Sequence, residues 1–267
     1  MARSDAILPR IIAVDWSGAR AGAHRKIWLA EARGEQLLRL ESGRSRDDVA
    51  THLVEEARGD PYLVVGLDFA FSLPAWFLRE RQLKTAGELW RLADREAEGW
   101  LERCMHPFWG RSGRGRPDLE EHYRRTDRDV PSVGGIRPKS PFQIGGAGAV
   151  GTGSLRGMPI LHRLSERGFR IWPFDAVGFP LAVEIYPRLL TGPVRKSSAR
   201  HRAAELGRRF PRLSATQRAV AASSEDAFDA AISALQMAKQ AHEFAGLAQA
   251  RDPVDLLEGR IWWAAMP

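Results

Sequence analysis

The sequence predicts an α/β fold built on a mixed sheet, on three observations. Short apolar runs alternate with amphipathic stretches of helical period. The second and third runs meet at Arg33-Gly34, a joint short enough to require antiparallel pairing. A helical stretch then separates the third run from the fourth, which requires a parallel crossover. With 267 residues, 44% of them hydrophobic, the chain can bury a core as one domain, 1–267.

The elements follow in order. Residues 10–16 (RIIAVDW), 26–32 (KIWLAEA) and 35–41 (EQLLRLE) have strand character. Residues 45–57 place Val49, Leu53, Val54 and Ala57 on one helical face, and 62–67 form a fourth strand. From 83 to 104, apolar residues recur at the helical period, with Trp90 and Trp100 as core residues. Between 107 and 154 the composition turns to Gly, Pro and Arg, too long for an ordinary connection, so it is expected to be an insertion or lid. Its cations, Arg111, Arg114, Arg116, Arg124, Arg125, Arg128, Arg137 and Lys139, could follow a phosphate backbone. Phe108, Trp109, Tyr123 and Phe142 could stack on bases; a merely solvated loop is the alternative. A helix at 157–167 stops at Gly168. Of FRIWPF (169–174) and LAVEIYP (181–187), the second is the better core strand. Helices are then expected at 197–209, 224–248 and 253–265, the last capped by Asp252 with Pro253 at its first position.

Five acids stand in apolar or helix-opening frames: Asp15 in IIAVDWSG, Asp68 in VVGLDFAFS, Glu184 in LAVEIYP, and Asp226 and Asp229 in SSEDAFDAA. An ionised carboxylate at the end of a buried strand is costly unless a cation meets it, and several convergent carboxylates point to a divalent metal. Each has a structural alternative. Ser223 and Asp226 fit a capping box, Asp15 and Asp68 could close turns after their strands, and Glu184 could face a sheet edge. Three residues apart, Asp226 and Asp229 lie about 60° apart around a helix and can face one site.

Strand, strand, strand, helix, strand, helix, strand, helix, opening with an antiparallel hairpin, is the ribonuclease H-like order, a five-stranded mixed sheet flanked by helices. It sets the first strand beside the fourth, and Asp15 beside Asp68, where α/β ligands bind. The frames VDWSG, GLDFAFS, VEIYP followed by Lys196, EDAFDAAISA and EGRIWWAAMP resemble the family catalogued as domain of unknown function 429, described as predicted nucleases of ribonuclease H fold. The resemblance spans nearly the whole chain except the Arg- and Gly-rich middle. It implies active-site acids at Asp15, Asp68 and Asp226 or Asp229, with Glu184 a further member. Two Mg²⁺ or Mn²⁺ ions would then serve phosphodiester hydrolysis, Asp15 bridging them, Asp68 and Asp226 each holding one, and Asp229 or Glu184 completing a shell. Ser17, Lys196, Arg137 and Lys139 are candidate substrate contacts.

Two other classes compete. Actin-like and sugar-kinase-like phosphotransferases share the core and open with a turn like DWSGAR, but they need a second phosphate loop and usually a duplicated domain. A non-catalytic module could hold nucleic acid or protein through the basic middle. Residues 146–151 satisfy G-x-G-x-x-G without a preceding strand of ordinary length, which favours a hinge or a backbone cradle for phosphate over a dinucleotide site.

The net charge of +7 admits a nucleic-acid partner, although lysine occurs only at 26, 84, 139, 196 and 239 and the excess is otherwise arginine. The lone Cys104 excludes a disulfide framework and suits a reducing cytoplasm, and the first fifteen residues lack an export-signal pattern. No apolar stretch is long enough to predict a membrane span. The seven histidines show no zinc-hydrolase spacing.

Overall fold

Antiparallel pairing opens the chain. The computed structural model describes residues 8–111, 113–118 and 121–264. In it β1 (Arg10–Asp15) pairs with β2 (Trp28–Arg33), and β2 with β3 (Gln36–Ser42). Gly34, at φ 58°, supplies the left-handed residue that the two-residue β2–β3 turn needs. Helix α1 (Arg46–Gly59) starts in a capping box between Ser45 and Asp48 and carries the chain back, so that β4 (Leu63–Leu67) runs parallel to β1.

Four helices follow before the sheet is extended: α2 (Ala75–Glu80), α3 (Ala86–Arg103), α4 (Arg125–Asp129) and α5 (Val150–Glu166) lead to β5 (Arg170–Ile171) and β6 (Leu181–Ile185), and α6 (Pro187–Thr191) starts at once after β6. Helices α7 (Ala199–Arg209), α8 (Ala215–Ala221), α9 (Glu225–Lys239) and α10 (Asp255–Glu258) precede β7 (Ile261–Trp262). The sheet runs β3-β2-β1-β4-β6-β5, with β7 also parallel to β6. It is therefore α/β with a mixed sheet flanked by helices. Among the described residues no helix is long and apolar enough to cross a membrane.

Strand alternation divides the core into two layers. Ile12, Val14, Val65 and Leu67 pack with α1, α3 and α5; Ile11, Ala13, Val64 and Val183 face α9. Each fully buried Ile, Val or Leu among them contributes roughly 1.5–3 kcal/mol of burial free energy. Gly66 sets how near α9 can come, since a Cβ there would lie 2.6 Å from Met237 Sδ.

The structure departs from the sequence reading in four places. The sheet has seven strands, not five, because FRIWPF adds the two-residue β5 and the C-terminal segment adds β7. The helix expected at 253–265 is cut to α10 by Gly259 at φ 77°, after which Ile261 and Trp262 are buried beside β6. Helix α9 is shorter than 224–248 and ends in a 3₁₀ turn, Ala241–Gly246. The middle segment is no loose aromatic loop: Phe108, Trp109 and Phe142 are buried, the two phenylalanines against Phe77, so these three rings cannot stack on bases.

Candidate active site

Parallel pairing aligns the C-terminal ends of β1, β4 and β6. The last β1–β4 pair in register is Val14 with Leu67, and the Asp68 N–H donates to Val14 O at 3.1 Å, so Asp15 and Asp68 leave the ladder side by side. Both share the parity of the residues that face α9. The α9 N-terminus is capped by Ser224, which accepts from Ala227 N at 2.9 Å. That moves the cap one residue from the expected Ser223, so the Ser223–Asp226 capping box does not form. Asp226 and Asp229 lie in the first two turns, and together with Asp15 and Asp68 they bring three distant chain segments to one place.

The electrostatics of this group are lopsided. Burial pushes the Asp15 carboxyl well above the ordinary range, and Asp68, Asp229 and Asp226 each push it further. Burial, then Asp229, raises Asp68 to about 8. Burial also raises Asp226 and Asp229. Against this charge stands the Lys196 ammonium, 2.6 Å from Asp229 Oδ2, while Lys26 is the cation that acts most on Asp226. The second oxygen, Asp229 Oδ1, is buried with no hydrogen-bond partner. Among the described residues, the carboxylates of Asp15, Asp68 and Asp226 accept no hydrogen bond. Nor, among those residues, are any three His, Cys, Asp or Glu side chains spaced to enclose a metal ion as they stand.

Glu184 is close enough to Asp68 to raise its carboxyl and to line the same hollow, but its own charge is matched elsewhere. Opposite Leu67 in the β4–β6 register, it points to the other face of the sheet. There Arg124 Nη2 and Nη1 donate to Glu184 Oε1 and Oε2 at 2.5 and 2.7 Å, and Phe71 N donates to Oε2 at 2.8 Å. Asp127 takes the other side of the same guanidinium, at 2.8 Å from Nη2. Burial still raises the Glu184 carboxyl, with Arg124 pulling it back. Arg124, expected to be available to phosphate, is 1% exposed and fully committed.

The other candidate contacts divide. The Ser17 hydroxyl is buried and accepts from Ala19 N at 3.2 Å. Arg137 is exposed and donates to Arg128 O. Lys196 is held by Asp229, and Lys139 lines a hollow of about 260 Å³ that also includes Asp68, Trp16 and Tyr186. A second hollow, about 380 Å³, lies along Arg188, Arg195, Lys196 and Ile136. The sequence reading gave Arg124 to phosphate rather than to Glu184 and Asp127, and it missed Trp16. For Arg124 the signal was Asp127 three residues on; for Trp16, an indole following Asp15 directly at a strand end.

Comparison with known family models, curated proteins and solved structures returned no match to this chain.

Proposed function

We propose that this chain is a metal-dependent nuclease on a ribonuclease H-like frame, with Asp15, Asp68, Asp226 and Asp229 as its acids. The observation that carries the reading is the unbalanced charge: four carboxylates from three chain segments share one closely bound ammonium. Carboxylates crowded together, one buried and three half-buried, are costly without partners, and the donor set is oxygen only, which suits a hard divalent cation. The orphaned Asp229 Oδ1 supplies a further lone pair of that kind. Bound there, two Mg²⁺ or Mn²⁺ ions would supply Lewis-acid activation of water and of a leaving oxygen.

The roles within the chain follow from the charges. Asp15, on which Asp68, Asp229 and Asp226 all act, would be the ligand shared by both ions, and Asp68 and Asp226 would each hold one. Lys196 holds Asp229 through one oxygen and leaves the other buried without a partner. The acids are not spaced as a finished cage, so these residues would hold a cation only after their side chains move closer together. The order β3-β2-β1-β4-β6 and the resemblance to domain of unknown function 429 support the same reading. Lys139 in one hollow, and Arg188 and Arg195 in another, favour a polyanionic nucleic-acid partner.

The test is incubation of the protein with labelled single- and double-stranded DNA and RNA oligonucleotides, in Mg²⁺, Mn²⁺ or EDTA. Cation-dependent cleavage that falls at least 100-fold in Asp15→Asn and Asp68→Asn is expected. Cleavage indifferent to both substitutions, or absent on all four substrates, overturns the proposal.

A further inference from the structure

We propose that the hollow at Arg188 is a groove for one strand of nucleic acid, in which Arg188 and Arg195 meet phosphates next to the acids and the Ile136 side chain packs against a base. One wall of the groove is a hairpin tip from the middle segment. Val133 and Ile136 exchange both backbone bonds, at 3.0 and 3.1 Å, around Gly134 and Gly135, which sit at φ 59° and 77°. Two successive left-handed residues are what a tight two-residue hairpin turn needs, so the tip is fixed in shape. The other wall is the loop after α6, residues 193–197. A Cβ built on Gly134 would lie 3.5 Å from Pro193 Cβ, so the tip packs against that loop. About 380 Å³ of space remains between them.

The cations of this space are as unmatched as the acids next to it. Arg188 is half-buried, and its Nη1 donates to Gly192 O and Val194 O at 3.3 and 3.0 Å, which holds the guanidinium in place. Among the described residues its Nε and Nη2 meet no acceptor, and neither Arg188 nor Arg195 forms an ion pair. Glu225 is the one carboxylate that lines the space among those residues, and it pairs with neither arginine. A half-buried guanidinium without an anion is costly, and its planar fork of donors matches phosphate oxygens. The space also begins where the acids end. Lys196 lines it while standing 2.6 Å from Asp229 Oδ2, and Arg188 is near enough to Asp229 to draw its carboxyl down.

Size and chemistry both favour an unpaired strand. The space is that of a pocket for one small molecule, so it admits a single nucleotide unit and no double helix. Ile136 lines it at 43% exposure and sets an apolar surface beside the cations. Base faces are free to meet such a surface only where they are unstacked, as in a single strand. The middle segment thus serves the substrate through this aliphatic tip, not through the buried Phe108, Trp109 and Phe142. That the strand continues to the acids and is cut there rests on the hydrolase reading above; its binding in the groove does not.

The experiment is a fluorescence-anisotropy titration of labelled single-stranded DNA, and of the same strand in a duplex, with the full chain in EDTA over a series of salt concentrations. The single strand is expected to bind at least fivefold more tightly than the duplex. Arg188→Met and Arg195→Met should each raise its Kd at least threefold and each lower the salt slope by about 0.7, the loss of one phosphate contact. Ile136→Ser should raise the Kd by a similar factor with the slope unchanged. Arg167→Met, in a hollow along α1 and α5 where Glu55 and Glu166 balance the arginines, should change neither. Arg195 is exposed and makes no side-chain bond among the described residues, so its substitution tests the groove even where Arg188→Met disturbs the loop. Wild-type affinity in Arg195→Met, an equal loss in Arg167→Met, or a duplex bound as tightly as the single strand overturns the groove. Arginine-dependent binding without cleavage defeats the hydrolase reading alone, and cleavage with KM unchanged in both arginine variants defeats the groove alone.

Discussion

Two groups of acids stand at the same end of the same sheet, on opposite faces, and their charge balance is opposite too. On one face Glu184 and Asp127 share Arg124, with each carboxylate oxygen accepting at least one hydrogen bond. On the other, Asp15, Asp68 and Asp226 accept none among the described residues, and Asp229 has one oxygen matched and one orphaned. A buried charge that is fully matched holds a structure together. One left unmatched weakens the fold and is tolerated only where something else arrives to meet it. Arg124 ties α4 to β6, whereas Asp68, among the unmatched acids, lines a hollow at whose edge Lys139 stands.

The comparison breaks first at Arg124. Arg124→Met leaves Glu184 and Asp127 buried without a cation and is expected to cost about 3–5 kcal/mol, read as a fall in the denaturant midpoint at constant m-value. A loss under 1 kcal/mol would remove the distinction between the two faces. Next is Lys196→Met, which takes away the one close cation of the unmatched group. It should cost about 2–3 kcal/mol in EDTA, a smaller loss because both partners keep some solvent contact, with side chains 10% and 15% exposed.

Asp68→Asn should move stability the other way. Its carboxyl is raised in the folded protein to about 8, so the native state binds the proton more tightly than the unfolded chain. That stability is present below the unfolded value near 4 and is lost as pH rises through about 8. In EDTA the wild type should therefore lose thermal stability from pH 5 to pH 9. Asp68→Asn should flatten that slope and gain about 1 kcal/mol or more at pH 9. A steeper slope in the variant would contradict the assignment. The smallest effect belongs to Ser17→Ala, which removes one turn hydrogen bond to Ala19 N; about 0.5–1 kcal/mol is expected, with oligonucleotide binding unchanged.

Asp15 and Asp68 were legible because each ends a run of apolar residues whose length and order place it at a strand terminus. Glu184 ends the same kind of run, and its frame looks identical. What separates it is parity: in LAVEI it falls with Ala182, on the face opposite Val183 and Ile185. The register that would reveal this comes from pairing with β4, a non-local fact. The α9 start was legible within one residue, because two adjacent serines offer equivalent caps and only packing chooses Ser224. The middle segment misled for a different reason. Phe108, Trp109 and Phe142 show no periodicity, so nothing in their spacing reports that they join the core built by Phe77 and Trp100. Strands β5 and β7 have two residues each, too short to carry a pattern at all.

The charge deficit at Asp15, Asp68, Asp226 and Asp229 is tested most directly by a thermal-unfolding titration with Mn²⁺ at pH 8, on wild type and Asp15→Asn. A ligand that binds only the native state raises stability with its concentration. The wild type should show a saturable rise in Tm of several degrees, and Asp15→Asn little or none. Equal rises in both proteins, or no rise in the wild type, would contradict the account.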